Sequence, residues 1–153
     1  MATDEAGFKQ ELKESVRSTF QNQFVWCPMD KIQSGVTDLH VIIDKFYGIE
    51  AKFCKTLPKR DSSNILSHAF SDKQVRFMTQ LNNTGAAFGV GVIWLGPSSA
   101  VMVHPSQLDE AGNISRHKIQ NLYRECSQEI TKVGKFWDVQ RLVEFSKKWV
   151  THG

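Results

Sequence analysis

The sequence predicts an α/β fold, a mixed central β-sheet flanked by helices, and three observations carry that expectation. Apolar side chains recur every fourth position near the N-terminus, at Phe8, Leu12, Val16, Phe20 and Phe24, which is the helical period. Ala86 to Leu95 is almost wholly apolar, as in a central strand covered on both faces. The order of elements reads helix, hairpin strands, helix, strand, strand, helices, an alternation that builds a mixed sheet with helices packed against it.

Each element has its own signal. The first helix is expected over 5–24. Residues 25–35 carry Pro28 and Gly35 and read as irregular. Val36 to Asp44 and Gly48 to Phe53 are β-branched and apolar-rich, two strands joined by a short hairpin loop that contains Gly48. The stretch 56–70, with Pro58, Ser62, Ser63 and Asn64 and no clear period, reads as a mobile, substrate-facing loop. A helix over 72–83 is capped by Ser71, its inward arc formed by Gln74, Val75, Phe77, Met78 and Leu81. In the strand 86–95, Gly89 and Gly91 share a face and let a helix pack close. Residues 99–103 form another strand, and 116–131 and 138–150 are expected to be helical.

With 153 residues the chain suits one domain over 1–153, large enough for a real core. Its 41% hydrophobic and 23% charged content is that of a soluble globular protein. No apolar run approaches the roughly 20 residues of a membrane span. The acidic start Met1-Ala2-Thr3-Asp4-Glu5 lacks a signal-peptide core, so a cytoplasmic location is expected. Cys27, Cys54 and Cys126 are odd in number and without metal-type spacing, which points to reduced thiols. The histidines have no zinc spacing, and phosphate-loop, dinucleotide and nucleophile-elbow motifs are absent.

A net charge of +3 permits a nucleic-acid partner without demanding one. Its distribution says more. Lys55, Lys59 and Arg60 cluster after the second hairpin strand, Lys73 and Arg76 follow on the next helix, and Lys132, Lys135, Arg141, Lys147 and Lys148 form a later group. Such residues neutralise DNA phosphates, or equally just keep a surface soluble.

The chemistry concentrates in Asp38, Glu50 and Lys52. Glu50 and Lys52 lie two apart on one strand and share a face, while Ile49, Ala51 and Phe53 point to the other. If Asp38 lies across the hairpin from Glu50, two carboxylates and one ammonium converge. Two carboxylates form a hard oxygen site suited to Mg²⁺, which also takes substrate phosphate oxygens as ligands. A lysine beside them can orient or deprotonate an attacking water and offset developing phosphorane charge. Together these groups suit phosphodiester hydrolysis.

This Asp…Glu-x-Lys pattern resembles the active site of the PD-(D/E)XK nuclease superfamily, whose restriction-endonuclease-like core has the layered mixed sheet expected here. Ser34-Gly35 just before Asp38 is similar to the turn that feeds the acidic strand in archaeal Holliday junction resolvases. The lysine-bearing segment Cys54 to Ser63, the helix with Gln74 and the buried strand after Gly85 resemble RecU-type resolvases. Gly7-Phe8-Lys9-Gln10-Glu11 looks like the start of their first helix. The likeness covers about residues 7–103.

The resemblance implies a Mg²⁺-dependent (Mn²⁺ as a substitute), structure-selective endodeoxyribonuclease of Holliday-junction type, acting in DNA recombination and repair. Asp38, Glu50, the Ala51 carbonyl and Glu11 would hold the metal, Lys52 would assist the water and Gln74 would support it. Ser34, Lys55, Lys59, Arg60, Lys73 and Arg76 would contact DNA. The helix wheel also puts Glu11 on the border of the apolar stripe and Glu14 nearly opposite, although a first-half acid that favours the helix dipole explains Glu11 equally well. Gln74 has an alternative as a core amide bonded to backbone. Branched double-stranded DNA, a homodimer with two active sites and a bacterial or phage-infected cell complete the expectation. Restriction- or repair-type cutting on the same core, or a non-catalytic DNA-binding module, are the alternatives.

Overall fold

The computed structural model describes residues 2–28 and 36–152, with the side chains of 150–152 left aside. Its first element is α1 (Glu5–Thr19), opened by Asp4, whose carboxylate accepts from the Gly7 backbone N–H at 2.8 Å. Phe8, Leu12 and Val16 are buried, as their period requires. The helix stops earlier than expected, because Phe20 turns extended and Gln21-Asn22-Gln23 carry no apolar face. Phe24 continues the four-residue spacing only by coincidence: it is 63% exposed and begins a strand, β1 (Phe24–Trp26).

β1 pairs antiparallel with β2 (Leu39–Ile42), and β2 pairs antiparallel with β3 (Phe46–Phe53). The reversal runs through Ile43 to Lys45, so Gly48 lies inside β3 and not in the loop. A glycine is needed there for contact, since a Cβ would come within 2.7 Å of Leu81 Cδ1 and 2.8 Å of Thr37 Oγ1.

β3 then pairs in parallel with β4 (Ala87–Gly96), in register from Phe46↔Ala87 to Phe53↔Trp94. A parallel pair needs a crossover. It is supplied by the segment 54–71 and α2 (Asp72–Thr84), which ends on Gly85 at φ 72°. β5 (Ser99–Val103) and β6 (Glu129–Val133) follow antiparallel, and β7 (Phe136–Trp137) pairs with β6. Strand order is therefore β1 to β7 without interruption.

The helix expected over 116–131 is in fact α3 (Arg116–Arg124) followed by β6. Ser127 adopts a positive φ of 54°, which ends helical progress, and Ile130 is then buried against the sheet. The last helix is α4 (Val139–His152). None of these helices is long and apolar enough to cross a membrane.

Two apolar layers result. On one face α1 and α4 bring Phe8, Leu12, Leu142 and Val143 onto Tyr47, Ile49, Ala51, Val90 and Val92. On the other, α2 and α3 bring Met78, Ile119 and Leu122 onto Ile93, Val101 and Val103, with Phe70 between. The crossover is not the loose loop its composition suggests. Ile65, Leu66 and Phe70 are buried, and the Asn113 side chain accepts from Leu66 N–H at 3.1 Å and donates to Leu66 C=O at 2.9 Å. Arg116 further donates to Asp61 at 2.9 Å.

Close packing of α2 on β4 depends on Gly89, where a Cβ would stand 2.4 Å from Met78 Cα. Backbone cannot rotate away as a side chain can. Gly89→Ala should therefore destabilise the protein by about 2–3 kcal/mol, at the upper end of overpacking costs, measured as a lowered urea midpoint with unchanged slope.

Candidate active site

Because Leu39 pairs with Ile49, Asp38 stands one step further along, opposite Glu50. The Asp38 backbone N–H donates to Glu50 Oε1 at 3.0 Å, tying the loop before β2 to β3. Glu50 Oε2 lies 3.7 Å from Lys52 Nζ. Glu50 is 2% exposed and Lys52 7%, although both are charged residues on a strand. The partner of Glu50 on β4 is Gly91, so no side chain competes for its space. The Phe70 ring occupies the room above Gly91, and Lys52 Nζ sits 5.3 Å from the centre of that ring, within cation–π range.

This placement is electrostatically demanding. Burial, then the neighbouring Asp38 charge, push the Glu50 pKa up to about 9, with Lys52 acting in the opposite sense. β2 begins at Leu39, so beyond Ile49 the backbone of 50–53 has β4 on one side and, among the described residues, no strand on the other. The Glu50 carboxyl thus lies just where the pairing of β2 with β3 ends.

The acid of α1 within electrostatic reach of this group is Glu5, whereas Glu11 is engaged elsewhere. Glu5, in the first turn of α1, has its pKa raised by burial, lies within the field of Lys52 and feels the Asp38 charge. Glu11 sits about 9 Å further along the helix axis at 1.5 Å per residue. There it accepts from Lys132 at 2.8 Å, Trp137 Nε1 at 3.1 Å and the Ala2 N–H at 3.1 Å. Burial works against its ionisation, yet the hydrogen bonds from Lys132 and Trp137 hold its pKa below the usual range. Glu11 therefore pins α1 to the β6–β7 hairpin. The readable sign for Glu5 is Asp4, whose capping places the next residue at the open, positive end of the helix.

Gln74 is also engaged elsewhere. Its side-chain oxygen accepts from the Ser71 N–H at 3.0 Å while Ser71 Oγ accepts from the Gln74 N–H at 3.1 Å, a reciprocal cap of α2. Lys55, Lys59, Arg60, Lys73 and Arg76 are exposed, the first three on the segment after β3 and the others on α2. Ser34 lies outside the described residues. A cleft of about 200 Å³ opens beside Glu5, lined by Thr3, Asp4, Phe53, Lys55, Ser67 and His68. The sequence pattern gave no reason to single out His68, which lines this cleft together with Glu5.

Among the described residues no group of three or more His, Cys, Asp or Glu side chains closes into a ready-made metal cage. Mg²⁺ does not require one: it is commonly held by one or two carboxylates and completed by water and substrate phosphate. Asp38 and Glu50 fit that donor set, and their mutual repulsion is a charge that a divalent cation would relieve.

No protein-family model matches the chain, and no curated protein matches it. Among solved structures it is similar to Archaeoglobus fulgidus Hjc, a Holliday junction resolvase from an archaeal hyperthermophile. The match has a TM-score of 0.50 and 13% identity, over 74% of this chain and 88% of that one. The two chains share a fold. That fold is the expected one, a mixed α/β sheet flanked by helices, of the restriction-endonuclease type.

Two outcomes follow from this geometry. In EDTA, stability should fall as pH rises from about 5 to about 9, because the folded state keeps on Glu50 a proton that the unfolded chain has lost. Thermal melts across that range should show a much steeper fall in wild type than in Glu50→Gln, which keeps the contribution of Glu5; an equal slope in both would remove Glu50 as its main source. Glu11→Ala should lower the melting temperature by several degrees through loss of a part-buried ion pair, whereas Glu5→Gln should leave it within about a degree or two.

Proposed function

We propose that the chain is a Mg²⁺-dependent endodeoxyribonuclease selective for branched double-stranded DNA, most closely a Holliday junction resolvase in DNA recombination and repair. The observation that carries this reading is the meeting of Asp38, Glu50 and Lys52 where the pairing of β2 with β3 ends, with Glu5 within their electrostatic reach. Asp38, Glu50 and the Ala51 carbonyl would hold the ion, with Glu5 in the place expected of Glu11. Mg²⁺, or Mn²⁺ in its stead, would polarise the scissile phosphate and lower the pKa of a bound water.

The chain's own groups supply the remainder. Lys52, kept in place by Glu50 and Phe70, orients the attacking water and offsets charge growing on the phosphorus oxygens. Lys55, Lys59 and Arg60 on the segment after β3 and Lys73 and Arg76 on α2 grip flanking phosphates. The fold shared with a resolvase supports a branched substrate. A homodimer is supported by the exposed cross-strand pair Phe24 and Ile42, 63% and 45% exposed, beside Trp26 and Phe46 at the sheet edge.

The test is a Mg²⁺ cleavage panel of four-way junction, flap, single strand and linear duplex. Junctions should be bound and cut in preference, with affinity falling steeply as salt rises. Asp38→Asn and Glu50→Gln should abolish cutting while DNA binding persists, and Lys52→Ala should lose turnover far more than affinity. Cutting in EDTA would refute the metal. Equal cutting of linear duplex would favour a restriction- or repair-type nuclease, and binding without any cutting a non-catalytic module.

A further inference from the structure

A second cavity lies at the same end of the sheet as the carboxylates, and it has a different chemistry. Of about 280 Å³, it is lined by Leu57, Leu95, Ser99, Ile119, Gln120, Tyr123 and Arg124. Its place follows from strand register. Ile93 pairs with Lys52, and Leu95 lies two residues further along β4, roughly 7 Å at 3.3 Å per residue. Leu57 belongs to the segment that carries Lys55, Lys59 and Arg60. Arg116 fastens that segment to α3 through Asp61 and the Lys59 carbonyl, both at 2.9 Å. The α3 wall and the basic segment are thus tied to one another.

Size and lining narrow the occupant. The volume sits at the lower limit of ligand cavities, which run from about 300 Å³ upward, so it takes one planar heterocycle and not a folded element. Leu57, Leu95 and Ile119 give an aliphatic floor, and Tyr123, 39% exposed, offers an aromatic surface at the mouth. Gln120 brings an amide able to pair with a base edge, and Arg124 a cation for the attached phosphate. The Ser99 hydroxyl is already given to Glu129 at 2.6 Å, so the polar recognition falls to Gln120 and Arg124.

We propose that this cavity receives a single unstacked nucleobase from the branch point of the DNA held at the carboxylate site. The inference rests on the nuclease reading above and deepens it: selectivity for branched DNA comes from a base that a linear duplex keeps stacked. Extracting a base from intact duplex costs a few kcal/mol, and least where pairing is already broken. A pocket that stacks such a base therefore discriminates by structure without reading sequence.

The experiment measures binding in EDTA, where no cutting occurs, to three probes of shared sequence: linear duplex, the same duplex with one unpaired base, and a four-way junction. Tyr123→Ala should weaken binding to the unpaired-base and junction probes by on the order of ten-fold or more, the range of one lost base–aromatic stack. Linear duplex should bind as before. Tyr123→Phe should restore the loss, and Gln120→Ala should change the preference among the four bases at the unpaired position. Unchanged junction binding by Tyr123→Ala, or equal loss on linear duplex, overturns the base pocket while Mg²⁺ cleavage by wild type leaves the nuclease standing. A wild-type protein that binds none of the probes overturns both.

Discussion

A carboxylate enclosed within a β-strand is the constraint on which the rest of this structure turns. Glu50 has almost no contact with water, faces a second acid across the hairpin, and has one ammonium at 3.7 Å to compensate. At that separation the ion pair is not a short hydrogen bond, and its attraction does not overcome the loss of hydration. The same residue nevertheless accepts the Asp38 N–H, which holds the start of β2 in register. The group that strains the electrostatics is also the one that fixes the local geometry, so neither can be relaxed alone.

The surrounding packing makes this arrangement possible. An eight-residue parallel register between β3 and β4 places Gly48 beside Gly89 and Glu50 beside Gly91. Absence of side chains at these glycines lets α2 and Phe70 descend onto the sheet. Phe70 then encloses Lys52, and the apolar layer beneath α2 and α3 shields the pair from solvent. On the opposite layer, Glu11 joins α1 to Lys132 and Trp137, while Glu5, in the first turn of the same helix, lies within electrostatic reach of Lys52 and Asp38. One helix thus carries two acids in different surroundings: Glu11 is hydrogen-bonded on three sides, and Glu5 is perturbed by burial and by Lys52 and Asp38.

The sequence was most legible where periodicity and spacing carry direct geometric meaning. Two residues apart on a strand means one face, and Glu50 and Lys52 obeyed that. Apolar continuity over 86–95 marked a central strand, and β4 runs Ala87–Gly96. Short edge strands were not legible, because β1 and β7 are three and two residues long and are defined by partners distant in sequence. Phe24 shows the failure plainly: its spacing is helical, its environment is an exposed sheet edge, and tertiary pairing overrode the pattern. Glu11 and Gln74 are held by partners other than the carboxylate group, Gln74 by the backbone as its alternative reading allowed. Both hydrogen-bond well, but to Lys132 and Trp137 in one case and to the Ser71 N–H in the other, and a helix wheel shows neither partner. Glu5 was hidden because an acid in a first helical turn is usually explained by the dipole alone.

The position of the acidic group at the end of the β2 pairing has a further consequence. A central strand with neighbours along its whole length would bury Glu50 without access, and an exposed edge would hydrate it and erase its altered affinity for protons. Here β3 is covered by β4 throughout and loses β2 beyond Ile49, so Glu50 is enclosed by protein on its flanks but adjoins an opening toward Glu5 and the cleft with Lys55 and His68. Such a group is poised to respond to whatever positive charge enters that opening. In the proposed reading that charge would be a divalent cation, and the cost of ionising Glu50 beside Asp38 would be offset by its affinity for the ion and the phosphate. Local consistency is broken at Glu50, and in the proposed reading that departure from an otherwise well-packed layer would be the mark of the site.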